Sequence, residues 1–111
     1  MAKPKEVTIK VKGSSWKVEI LSDKDFDQKH GKGHRKSAAV TSSARVISFR
    51  KGELTFISVI HELVHAFVFE SHTETMIDVT PDDREELCAS IISKNFFILG
   101  SLASETIQSL S

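Results

Sequence analysis

The chain has no tyrosine, one cysteine, two prolines and no net charge, 15 Lys and Arg balancing 15 Asp and Glu over 111 residues. Cys88 alone closes no intrachain disulfide and builds no cysteine-rich zinc site, so nothing here calls for an oxidising compartment. Balanced charge removes both the basic field that draws proteins to nucleic acid or anionic lipid and the acidic excess of a solvating tail. No unbroken apolar run exceeds four residues, as at 66–69, whereas a bilayer span takes about 20. The start Met1-Ala2-Lys3-Pro4 leads into alternating charged and apolar residues instead of the apolar stretch of a signal peptide. These absences predict a soluble cytoplasmic protein with neither nucleic acid nor membrane as partner.

At 12.3 kDa, 40% hydrophobic and 27% charged, the composition is that of one globular domain over 1–111, able to bury roughly two-thirds of its unfolded surface. Val7, Ile9 and Val11 alternate with polar residues, as do Trp16, Val18 and Ile20 after Gly13-Ser14-Ser15, which predicts a β-hairpin. Ser22 with Asp25 three positions on reads as a helix cap, and a short helix runs to about His30. The basic, glycine-bearing stretch His30-Gly31-Lys32-Gly33-His34-Arg35-Lys36 reads as a loop. Ala39-Val40-Thr41 and Arg45 to Phe49 are the next strands, with Lys51-Gly52 as a turn. Trp16, Phe67, Phe69, Phe96 and Phe97 are assigned to the core, and Cys88 packs as a small apolar residue.

From 54 to about 70 the chain is largely apolar and free of Pro and Gly, so a buried helix is predicted. Thr80-Pro81-Asp82-Asp83 supplies a cap, a first-position proline and first-turn acids for a second helix, expected to end near Gly100. The tail, 101–111, is a short closing helix or a frayed end. The fold class is therefore α+β: an amino-terminal sheet of three or four strands packed on these two helices.

The first of those helices carries His61-Glu62-Leu63-Val64-His65. Imidazoles four residues apart stack on one helical face within reach of a single tetrahedral Zn2+, and Glu62 can hold and deprotonate a water there. A catalytic zinc takes three protein ligands and keeps a fourth position open. His72 fails as the third, because the elongated three-histidine motif needs glycine at Val68 and its last histidine at Ser71. The pair Glu85-Glu86 lies about twenty residues after His65, enough chain to turn and return antiparallel. Glu86 is preferred, since small Ala89 three positions on lets the helices approach; Glu85 is the alternative. Tyrosine is absent as a donor to a developing oxyanion, which leaves His72, Arg84, His30 or His34.

Over 57–92 this arrangement resembles the gluzincin-type zinc metallopeptidases, and in size and amino-terminal sheet it is similar to the compact ImmA/IrrE-like and phage-encoded minimal metallopeptidases. The resemblance implies a metalloendopeptidase with one zinc per chain held by His61, His65 and Glu86, and Glu62 as general base. Ser90 stands where many gluzincins carry an aspartate that steadies a ligand histidine. The implied partner is a protein or peptide substrate, paired with the open edge of the strand ending at Phe49, with a regulatory protein as a further possible partner. The rival reading is a non-catalytic module with a structural or vestigial zinc site; Glu62 distinguishes the two, because a structural site has no use for a base beside the metal.

Overall fold

Lys12 and Gly13 both adopt positive φ, 50° and 88°, the two-residue turn whose twist matches that of flanking strands. It joins β1 (Lys5–Val11) to β2 (Ser14–Leu21) in an antiparallel hairpin, so the second strand begins at Ser14, two residues before the expected Trp16. The computed structural model describes residues 5–31, 38–72 and 81–110. After β2 come α1 (Asp23–His30), β3 (Ala38–Thr41), a short 3-10 turn (Ser42–Ala44) and β4 (Val46–Arg50). Three further helices follow: α2 (Phe56–His72), α3 (Pro81–Lys94) and α4 (Phe96–Leu110). The α1 cap is as expected: the Ser22 hydroxyl accepts from the Asp25 amide at 3.2 Å, and Gly31 leaves the helix at φ 98°. The predicted Thr80 cap and most of the 30–36 loop lie outside the described residues.

The four strands form one mixed sheet in the order β1-β2-β4-β3, with β2 parallel to β4 and the other pairs antiparallel. The class is α+β. One expectation is corrected here: β4 is paired on both sides, so it offers no open edge to a substrate, and the edge strands are β1 and β3. Val46, Ile47, Ser48 and Phe49 are also all buried, so β4 is covered on both faces as well.

Side-chain alternation sorts the sheet into two covered faces. Ile9, Val11, Trp16, Val18, Ile47 and Phe49 form one, packed in a single core with Val59, Leu63, Ala66 and Phe67 of α2 and Leu99, Ala103 and Leu110 of α4. Each fully buried Val, Leu or Phe there contributes about 1.5–3 kcal/mol. The opposite face presents Glu19, Ser48 and Arg50 to α1. Lys29 pairs with Glu19, and Arg50 bonds Asp23 and Asp27 at 3.0 Å each. The Arg50 guanidinium also lies 4.4 Å from the centroid of the buried Phe26 ring. The sheet thus stands between α1 and the core helices.

The carboxy-terminal third departs from expectation. The helix that starts at Pro81 stops at Lys94, and a new one runs from Phe96 straight through Gly100 to Leu110. At Asn95 the backbone N–H and the side-chain amide both donate to the Ile91 carbonyl, at 3.0 and 2.9 Å. The side-chain amide shares that acceptor with the helical backbone bond, and the break between the two helices falls at this residue. Past the break, Phe96 is 66% exposed and Phe97 85%, so neither belongs to the core to which it was assigned. Trp16 and Phe67 are buried as expected, Phe69 is half-buried, and Cys88 packs partly buried against the core.

Candidate metal centre

Helix α2 is fixed at both ends, and this sets where its polar face points. At its start Thr55 Oγ1 accepts from the Ser58 amide at 3.1 Å while Ser58 Oγ accepts from the Thr55 amide at 2.9 Å, a reciprocal cap. At its far end Glu70, its side chain 9% exposed, accepts from Trp16 Nε1 at 2.9 Å and Ser14 Oγ at 3.1 Å and is bonded by Arg45 Nε. Phe69 adds an edge contact to Trp16, ring centroids 6.0 Å apart, under the Arg45 guanidinium. Glu70 was not singled out in the sequence: its partners lie up to 56 positions away and no local pattern marks it. The Thr55-Ser58 spacing, by contrast, is a visible cap signal.

With Val59, Leu63, Ala66 and Phe67 turned into the core, the 3.6-residue period carries His61 and His65 to the opposite, outward side, and both are exposed. This corrects the picture of a pair sunk in a buried helix: one face is buried and the histidines stand on the other. Their rings are 5.2 Å apart between centroids, at 68°. Two imidazoles sharing one tetrahedral zinc, at Zn–N distances of about 2.0–2.1 Å, place their centroids about 5 Å apart. The observed separation is of that size.

Glu62 is half-buried beside them, and among the described residues no hydrogen bond or ion pair engages its carboxylate. Among the described residues the other partly or fully buried glutamates are committed elsewhere, Glu70 as above and Glu19 to Lys29, Lys17 and the Ser48 hydroxyl. Glu86 is exposed on α3. Among the described residues no group of three His, Cys, Asp or Glu side chains is assembled for a metal: the structure joins His61 to His65 and does not bring Glu86 to them.

Of the possible oxyanion donors, His30 ends α1 on the far side of the sheet, its ring 4.8 Å from that of Phe26, and so is removed from the α2 histidines. His34, and the side chains of His72, Arg84 and Glu85, lie outside the described residues.

The two committed glutamates carry the charge that the fold depends on. Arg45 does most to hold the Glu70 carboxyl below the ordinary 4.5; burial pulls upward, and the bonds from Trp16 and Ser14 add to the lowering. For Glu19 burial is the largest single influence and acts upward, but Lys29, Ser48 and Lys17 together outweigh it and the net shift is again downward. A carboxyl depressed in the folded state stabilises fully above its unfolded value, and that stabilisation is lost as pH falls through the folded value. Urea midpoints are thus expected to hold steady above about pH 4.5 and to decline below it, and the doubly substituted Glu19→Gln, Glu70→Gln chain to show a flatter acid limb. An unchanged acid limb in that variant would refute the assignment.

Comparison with known proteins returns no match: no family model, no curated protein and no solved structure is significantly similar to this chain. Among the described residues no helix is long and apolar enough to cross a membrane.

Proposed function

We propose that the protein is a zinc-dependent metallopeptidase that works in the cytoplasm on protein or peptide substrates. The observation that carries this reading is the outward-facing His61–His65 pair at the ring separation a shared tetrahedral ion needs, with the uncommitted Glu62 carboxylate on the same helical turn. His61 and His65 would hold the ion, and the third ligand would be Glu86 of α3 or Glu85 beside it, Glu86 reaching the pair only with a shift of α3 towards α2 on binding. A bound zinc supplies an activated water at neutral pH and polarises the scissile carbonyl. Glu62 accepts the proton of the attacking water on its carboxylate and passes it to the leaving amine nitrogen. That no described residue is bonded to it supports that role, since a carboxylate locked in an ion pair is a poor base.

With β4 closed on both sides, the edge open to an extended substrate on the α2 flank of the sheet is that of β3, which packs against α2. A peptide added there would gain backbone hydrogen bonds without a specific side-chain pocket.

Metal content tests the reading. Protein purified without chelator is expected to carry one zinc per chain, and to lose it in His61→Ala and His65→Ala while keeping the wild-type unfolding midpoint of the metal-free form, since both imidazoles are exposed. Added zinc should raise the wild-type midpoint and leave that of the histidine variants unmoved. Weaker binding in Glu86→Ala, with Glu85→Ala unaffected, would assign the third ligand. A wild-type chain that takes up no zinc at neutral pH would overturn the proposal.

A further inference from the structure

Helix α4 begins by exposing three large apolar side chains in a row, Phe96, Phe97 and Ile98, and Phe56, Ile57 and Ile92 are also exposed. Phe56, Ile92, Phe96 and Phe97, which line one groove, and Ile98 beside Phe97 leave on the order of 550 Å² open, taking about 150–250 Å² for a whole aromatic side chain. The largest apolar patch on an ordinary monomer is about 300–600 Å², whereas a specific interface takes about 800 Å² from each partner. The open surface is at the upper end of what a monomer exposes and supplies the larger part of one partner's share of an interface.

Its shape and charge point to one occupant. A groove of about 590 Å³ runs between the first turn of α2 and the α3–α4 corner, with Phe56, Ile60, Ile92 and Leu99 among its walls. Phe96 and Phe97 line the same groove yet project from it, their rings edge to face at 5.6 Å. A projecting pair and a recess to receive one thus share a single face, the requirement for a two-fold contact in which each copy fills the other. Beside the groove, Phe97 and Ile98 border a shallower depression that also contains Lys10 and Glu105, one charge of each sign. Under a two-fold axis Lys10 of one copy can meet Glu105 of the next, and the reverse; a basic or acidic partner would find no such balance.

We propose that this face is the interface of a homodimer, built from the Phe56 end of α2 and the α3–α4 corner, with Phe96 and Phe97 of each copy seated in the groove of the other. The proposal does not depend on the peptidase reading. Sedimentation velocity from 1 to 100 µM is expected to give twice the 12.3 kDa chain mass. Phe97→Glu should convert the protein to monomer at every concentration with its circular dichroism unchanged, because Phe97 is almost wholly exposed in a single copy. Ile98→Ser serves as a second variant if Phe97→Glu does not fold. Lys10→Glu should weaken the dimer at least tenfold, and the swap Lys10→Glu with Glu105→Lys should restore it. A wild-type chain that stays at 12.3 kDa through 100 µM, or a dimer that neither Phe97→Glu nor Ile98→Ser dissociates, refutes the proposal.

Discussion

Glu62→Gln is expected to keep one zinc per chain and to lower kcat on an unfolded protein substrate by about 10²- to 10⁴-fold, the contribution of a positioned general base. The substitution is nearly isosteric and removes only the capacity to take a proton. Glu62 is half-buried and no described residue is bonded to its carboxylate, so the fold has no reason to respond and the unfolding midpoint should stay in place. KM should change little, because the lost interaction belongs to the transition state and not to substrate binding. The same variant separates the enzyme from a binding module with a structural zinc: in the module, metal and partner binding would be indifferent to Glu62 and there would be no turnover to lose. Wild-type activity retained in Glu62→Gln would remove Glu62 as the base even if the metal is present.

The second large effect is on stability. Glu70→Ala leaves the indole N–H of the fully buried Trp16 and the Ser14 hydroxyl without their acceptor. An unsatisfied buried donor costs about 1–3 kcal/mol, so a total of about 2–3 kcal/mol is expected, read as a fall of roughly 1–2 M in the urea midpoint. Arg45 adds little of this, because its side chain is largely solvated and water screens the pair. Glu70→Gln keeps an acceptor for Trp16 and should cost clearly less than the alanine variant, while Arg45→Ala should be milder than either. Trp16 is the chain's one tryptophan and lies in this contact, so its fluorescence reports the transition directly. If Glu70→Ala unfolds at the wild-type urea concentration, the far end of α2 is held by apolar packing alone.

The two variants address one helix from two sides. Glu70 and the Thr55–Ser58 cap hold α2 in a fixed rotation against the sheet, and that rotation turns His61 and His65 outward. On the proposed reading, a loosened α2 end should weaken zinc binding indirectly, through the entropy of re-ordering the pair.

Local periodicity carried much of this. The hairpin, α1 with its Ser22 cap, and α2 to within two residues at each end follow from alternation, capping and the 3.6-residue repeat, each a property of neighbours along the chain. So does the contact between His61 and His65, since i and i+4 meet on any helix. The third-ligand and oxyanion assignments needed something else, the approach of separate elements, and periodicity holds no information about it.

The break at Asn95 shows the same limit. Gly100 has the chemistry of a helix stop, yet it sits within α4 with open space around its missing Cβ, and α3 ends earlier, at Lys94, where the Asn95 side-chain amide also bonds the Ile91 carbonyl. The residues Phe96 and Phe97 have core composition, but the direction α4 takes after that break leaves them outside.

Sequence alone determined the hairpin, α1, the later strands and the extent of α2, and that two imidazoles share a helical face, because those outcomes depend on spacings of two to four residues; it did not determine where α3 ends and α4 begins. Tertiary structure decided that β4 is interior, that α1 and His30 lie across the sheet from α2, that Glu70 is a lock, and that an aromatic pair stands in solvent. The first three depend on contacts between residues tens of positions apart, and the last on the direction α4 takes after Asn95, so whole faces competing for burial, and not local spacing, make the choice.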